Sequence, residues 1–173
     1  MSRIFGPIRL FAYVVKDIDK ALDHWIKVAG IGPWFYEERV PITEFRYDGK
    51  PHSDFHVSVA LANSGDLQIK LIQQRSRTSS MFTEFLAEGR EGLHHWAVWP
   101  DDYDEMYQRA ITSGYRIGHE GRTSRGRFAC LRVSDHSAEG IEISELTGDN
   151  NRLRRIIRSS ATIWDGNNPI RRM

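Results

Sequence analysis

The sequence predicts an α+β chain. Two βαβββ modules form a half-open, barrel-like pair of sheets around a cavity, and a C-terminal helix follows them. Three observations carry that expectation. Residues 10–19, LFAYVVKDID, and residues 95–104, HWAVWPDDYD, repeat one pattern, with Ala12, Asp17 and Asp19 in register with Ala97, Asp102 and Asp104. Each stretch runs from an aromatic and β-branched strand into a helical period that stops at a glycine, Gly30 or Gly114. Behind each helix come short alternating segments separated by turn residues.

In the first module, taken as about 8–75, Asp17 caps a helix carrying Ile18, Ala21, Leu22, Trp25 and Val28 on one face. Strands follow over 43–47, 55–62 and 67–72, with turns at Asp48-Gly49-Lys50-Pro51 and Asn63-Ser64-Gly65-Asp66. A linker helix at about 78–89 places Met81, Phe82, Phe85 and Leu86 on one side. The second module, about 92–147, repeats the order: Asp102 caps Tyr103, Met106, Ala110 and Ile111, and strands follow at 115–117, 128–133 and 140–146. The C-terminal helix and tail take 148–173, with Arg152, Arg154, Arg155 and Arg158 read as the helix's solvated side. All of this fits one domain of 173 residues.

Composition removes several classes of function. Net charge is +1 with acids and bases interspersed, so no basic stripe for nucleic acid exists. Cys130 is the only cysteine, which excludes an intrachain disulfide and a cysteine-rich metal site and fits a cytoplasmic setting. No apolar run reaches the roughly 20 residues a membrane span needs. Pro7 and Arg9 interrupt the place where a signal peptide would be apolar.

Strand alternation then sorts residues by face, with the helices expected on the more continuously apolar side. On that rule Phe55, Val57, Val59 and Leu61 face a helix, as do Ile69, Leu71, Trp96, Val98, Ile141 and Ile143. The opposite face collects His56, Ser58, Gln68, Lys70, His95, Trp99, Glu142 and Ser144. Polar positions in four strands suit the wall of a ligand cavity; a solvent-exposed face is the alternative. Phe128, Cys130 and Arg132 share one face of their strand, so Phe128 offers aromatic surface and Arg132 a charge for an anionic group. Trp34, Phe35 and Tyr47 are further aromatic candidates.

Gly92-Leu93-His94-His95-Trp96-Ala97 opening the second module and Ile141-Glu142-Ile143 closing it resemble the vicinal oxygen chelate superfamily, which includes glyoxalases, epimerases, extradiol dioxygenases and bleomycin-resistance proteins. The likeness covers about 8–147 and is nearest the methylmalonyl-CoA epimerase and glyoxalase-like branch. It implies four side chains, two per module, around a divalent metal. His95 and Glu142 match the second-module pair, with Glu145 a competing choice for the glutamate. In the first module Leu10 stands where His or Gln is expected, and Lys70 where Glu or Gln is expected. Leucine cannot ligate and an ammonium repels a dication. The sequence therefore points to no metal; if one binds, His95, Glu142 and Gln68 are its ligands.

The reading that follows is an isomerase, epimerase or lyase. Lys70 polarises a carbonyl, and Glu142 or His95 moves a proton beside it on a bulky apolar or aromatic substrate. His56, Ser58, Gln68, Trp99, Phe128 and Arg132 are the candidate binding residues. A ligand-sequestering protein of the resistance type is the alternative, and a metal-dependent dioxygenase the third. The resemblance also implies a homodimer.

Overall fold

The computed structural model describes residues 2–133 and 136–173. In chain order the elements are β1 (Leu10–Val14), α1 (Ile18–Lys27), β2 (Trp34–Tyr47), β3 (Lys50–Pro51), β4 (His56–Ser64), β5 (Leu67–Gln74) and α2 (Met81–Ala87). Then come β6 (Gly92–Val98), α3 (Tyr103–Thr112), β7 (Tyr115–Thr123), β8 (Gly126–Val133), β9 (His136–Ser144), α4 (Gly148–Thr162) and β10 (Ile170–Arg172). Both module openings form as the sequence implies. Asp17 accepts from the Lys20 amide at 3.1 Å and Asp102 from the Glu105 amide at 2.9 Å. Each such cap is worth about 1 kcal/mol. Gly30 and Gly114 take positive φ (66° and 90°) just past their helices, where a side chain would be strained.

One curved sheet holds the strands in the order β2-β4-β5-β1-β6-β9-β8-β7. The second half of β2 then pairs with β7, from Ile42↔Thr123 to Tyr47↔His119, and the sheet closes on itself. The modules meet where β1 and β6 run antiparallel. Register exposes their equivalence: Ala12 lies opposite Lys70, and Ala97 lies opposite Glu142. The two residues that differ in charge therefore occupy the same place in the two copies.

Among the described residues, three apolar clusters form the core. Ile18 and Leu22 of α1 pack on Ala60, Ala62, Ile69 and Leu71 outside the ring. α3 covers Val98, Leu131, Ile141 and Ile143 in the same way. The third cluster lies within the ring and includes Leu10, Val14, Val57, Ile72, Phe82 and Phe85.

In three strands the faces match the alternation argument; in β4 they are reversed. Val57, Val59 and Leu61 line the interior, while Ala60 and Ala62 face α1. The reason is α4. This helix lies over the ring and sets Leu153 and Ile157 against the interior, so a continuous apolar set is stable there too. Small residues on the α1 side let that helix approach closely. Accordingly His56 and Ser58 are not cavity residues. His56 sits beside Asp54 at the start of β4, and Ser58 accepts from Arg75 Nε and donates to the Glu38 carbonyl.

β2 is also longer than its sequence suggests. The charged run Glu37-Glu38-Arg39 hides the alternation, and a register shift between Glu37 and Val40 absorbs it. Trp34 is buried against Trp25 beneath α1, away from the interior. The tail is docked by β10, which runs parallel to β2 from Ile170↔Trp34, and by Arg158 paired with Asp66. No helix among the described residues is long and apolar enough to cross a membrane.

Candidate functional site

Inside the ring lies a cavity of about 140 Å³. Its walls are mostly apolar, including Val57, Leu61, Phe82 and Phe128, and α4 contributes Leu153, Arg154 and Ile157. At its inner end Lys70 Nζ donates to Glu142 Oε2 at 2.6 Å. The side chains are 15 % and 7 % exposed, so this ion pair is shielded from water. His95 Nε2 meets the same oxygen at 3.1 Å, and Ser144 Oγ donates to Glu142 Oε1 at 2.5 Å.

Burial alone would raise the Glu142 carboxyl, but the Lys70 charge and the His95 hydrogen bond outweigh it and hold it well below the usual range. Glu142 is thus a carboxylate and only accepts. His95 must then carry its proton on Nε2, and its Nδ1, 2.8 Å from His94 Nδ1, accepts from that ring. Burial lowers both imidazoles, His94 to about 2, with the neighbouring His95 adding to that shift. Each is neutral at ordinary pH, and His94 completes a chain His94→His95→Glu142. Phe82 packs on both rings.

The structure brings Lys70, His95 and Glu142 together and places Gln68 on the same wall. Glu142 rather than Glu145 faces the cavity, because Glu145 is taken by Arg127 at 2.8 Å. Trp99 lies under the Arg154 guanidinium, 3.7 Å from its ring centre, instead of forming open wall. Arg132 does not line the cavity; it is held instead by Asp48 after β2 and by Glu84 of α2.

Two residues escaped the sequence reading. Arg154 was grouped with the solvated arginines of α4, yet it points inward. Only the seating of α4, which no local pattern encodes, shows this. His119 on β7 is completely buried among Phe45, Phe55, Phe82 and Phe128, and neither ring nitrogen has a partner among the described residues. Burial, with smaller help from His95, lowers it to about 3. A lone histidine in a charged strand, His119-Glu120, gives no signal of such a place.

A family model described as the Glyoxalase/Bleomycin resistance protein/Dioxygenase superfamily matches residues 11–131. The chain belongs to this superfamily. Solved structures share its fold at low identity. A methylmalonyl-CoA epimerase from Mycobacterium tuberculosis is 16% identical with a TM-score of 0.60, over 88% of this chain and 95% of that one. A hypothetical protein from Bacillus halodurans C-125 is 17% identical, with a TM-score of 0.59 over 82% and 94%. A Streptomyces coelicolor methylmalonyl-CoA epimerase, solved with 2-nitronate-propionyl-CoA, is 16% identical, with a TM-score of 0.55 over 83% and 96%. No curated protein matches the chain. The family model ends at 131, so Glu142 and all of α4 lie beyond it.

Members of the glyoxalase superfamily often hold a divalent metal, and the donor chemistry here tests that fit. His95, Cys130 and Glu142 bring one donor atom each within 4.8 Å of one another. Burial and the nearby Glu142 push the Cys130 thiol up, so a metal would have to displace its proton before the sulfur could ligate. The Lys70 ammonium sits on the Glu142 oxygen a metal would need. A dication there would face one cation at contact distance and one anion, with Leu10 offering nothing from the first module. The donor set does not fit a divalent metal.

Proposed function

We propose that this protein is a metal-independent isomerase, epimerase or lyase that moves a proton next to the carbonyl of a bulky apolar or aromatic small molecule. One observation carries the reading: the Lys70–Glu142 ion pair, with His95 behind it, sits at the inner end of an apolar cavity. A solved methylmalonyl-CoA epimerase holds methylmalonyl-CoA together with an ammonium ion; this chain carries a tethered ammonium in Lys70.

The chemistry follows from competition for Lys70. A substrate carbonyl oxygen that takes its hydrogen bond gains an electrophilic partner where enolate charge develops. The same step removes from Glu142 the cation that offsets its burial, so its proton affinity rises when a base is needed. The C–H bond beside the carbonyl breaks, its electron pair passes into the enolate, and the proton goes to Glu142. A proton delivered from water to the other face epimerises, Glu142 releasing its own to solvent; expulsion of a group as its anion from the adjacent carbon makes the reaction an elimination. His95 holds Glu142 in place throughout.

Sequestration without chemistry is the second reading, favoured by the fully satisfied hydrogen bonding of Glu142. Deuterium exchange separates the two. Methylmalonyl-CoA and phenylpyruvate are incubated with the protein in D2O and followed by NMR. Exchange above the buffer rate that disappears in Lys70→Met supports the enzyme. Exchange that survives Lys70→Met unchanged removes Lys70 from the mechanism, and binding without exchange supports sequestration.

A further inference from the structure

Among the described residues lining the cavity, four are cations, Lys70, Arg125, Arg127 and Arg154, and Glu142 alone is an acid. Three of the four are neutralised within the fold. Lys70 pairs with Glu142, Arg125 with Glu37, and Arg127 with Asp104 and Glu145. Arg154 is not. Its guanidinium carbon lies over Trp99, 3.7 Å from the ring centre, its Nη1 is buried, and no partner among the described residues reaches that nitrogen. Unpartnered buried donors on a cation are rare in native proteins, because desolvation of the charge goes uncompensated.

The geometry points to Arg154 as the seat of a carboxylate on the ligand, which makes the cavity a site for small apolar or aromatic carboxylic acids. A guanidinium presents two parallel N–H donors that match a carboxylate, and stacking on an indole holds that fork in one plane. The apolar walls, with Leu61, Phe128, Leu153 and Ile157 nearby, take the rest of the molecule. The inference deepens the proposed function by naming its substrate class: an anionic end at Arg154, a carbonyl at Lys70. It gives α4, which lies outside the matched family region, the task of completing the site.

Calorimetric titration tests this without any turnover. The probes are 3-phenylpropionate and its neutral isostere 3-phenylpropionamide, with the full-length protein. The carboxylate should bind about tenfold or more tightly than the amide. Arg154→Met, which keeps the bulk over Trp99, should erase that preference and leave the amide's affinity unchanged. In the ligand-free state the variant should melt no lower than the parent, because a buried, unpartnered nitrogen has been removed. Equal affinity for acid and amide, an undiminished preference in Arg154→Met, or a lower melting temperature for the ligand-free variant would each overturn the assignment. A negative exchange experiment leaves it untouched, since binding alone is read; equally, loss of the carboxylate preference leaves the proton-transfer reading standing.

Discussion

Acid should unfold this protein through its buried histidines. His119 is held neutral down to about 3 and His94 down to about 2, against an ordinary value of 6.5. In both, the folded value lies below the unfolded one, so the unfolded chain binds more protons and stability falls as pH falls from about 6.5. Each group loses about 1.36 kcal/mol per pH unit in that window, or about 2 kcal/mol between 6.5 and 5. The pair therefore removes about 4 kcal/mol by pH 5, and His95, shifted in the same direction, adds to it. Glu142 starts from 4.5 and is held lower, so it contributes nothing above pH 5. Against a total of about 5–15 kcal/mol, that loss is large. Urea unfolding at pH 7, 6 and 5, followed by tryptophan fluorescence, reads it directly. His119→Leu should cut the pH 7-to-5 difference by about 2 kcal/mol. At pH 7 the variant should be at least as stable as the parent, since two unpartnered ring nitrogens disappear. Stability that is flat between pH 7 and 5, or a variant with the parent's full slope, refutes the reasoning.

Other outcomes follow from the same geometry. Lys70→Gln removes the charge that occupies the Glu142 oxygen a metal would need beside His95, so Co(II) titrated against the variant should bind about tenfold or more tightly than to the parent; equal affinities would show that repulsion by Lys70 is not what excludes the metal. Gly32→Ala would place a Cβ 2.7 Å from the Trp164 ring, a contact the rigid indole cannot relieve alone. It should cost about 1–3 kcal/mol and raise hydrogen exchange in α4 and β10 before the ring strands. Exchange unchanged in α4 would mean that the tail does not hold the helix in place.

Most of the scaffold was legible because it is local. The capped helices follow from Asp17 and Asp102, and the strand faces of β5, β6 and β9 follow from alternation in short uninterrupted runs. The meeting of Lys70 with Glu142 was legible too, because the family resemblance puts both at ligand positions on equivalent strands of the two modules. β2 was read short because a register shift breaks its period. β4 was read upside down because alternation states only that two faces differ, and which one is inner depends on what covers each. Here α4, remote in sequence, covers the inner face.

The amino-acid sequence by itself determined the duplicated module, its caps and the divergence of the two copies at Leu10 and Lys70. Tertiary structure alone decided that α4 turns Arg154 from a surface arginine into a cavity cation, and that His119 lies among four phenylalanine rings. The physical reason is common to both. A charge or an imidazole is an ordinary surface group until an element from elsewhere in the chain removes its water, and no local pattern records which element that will be.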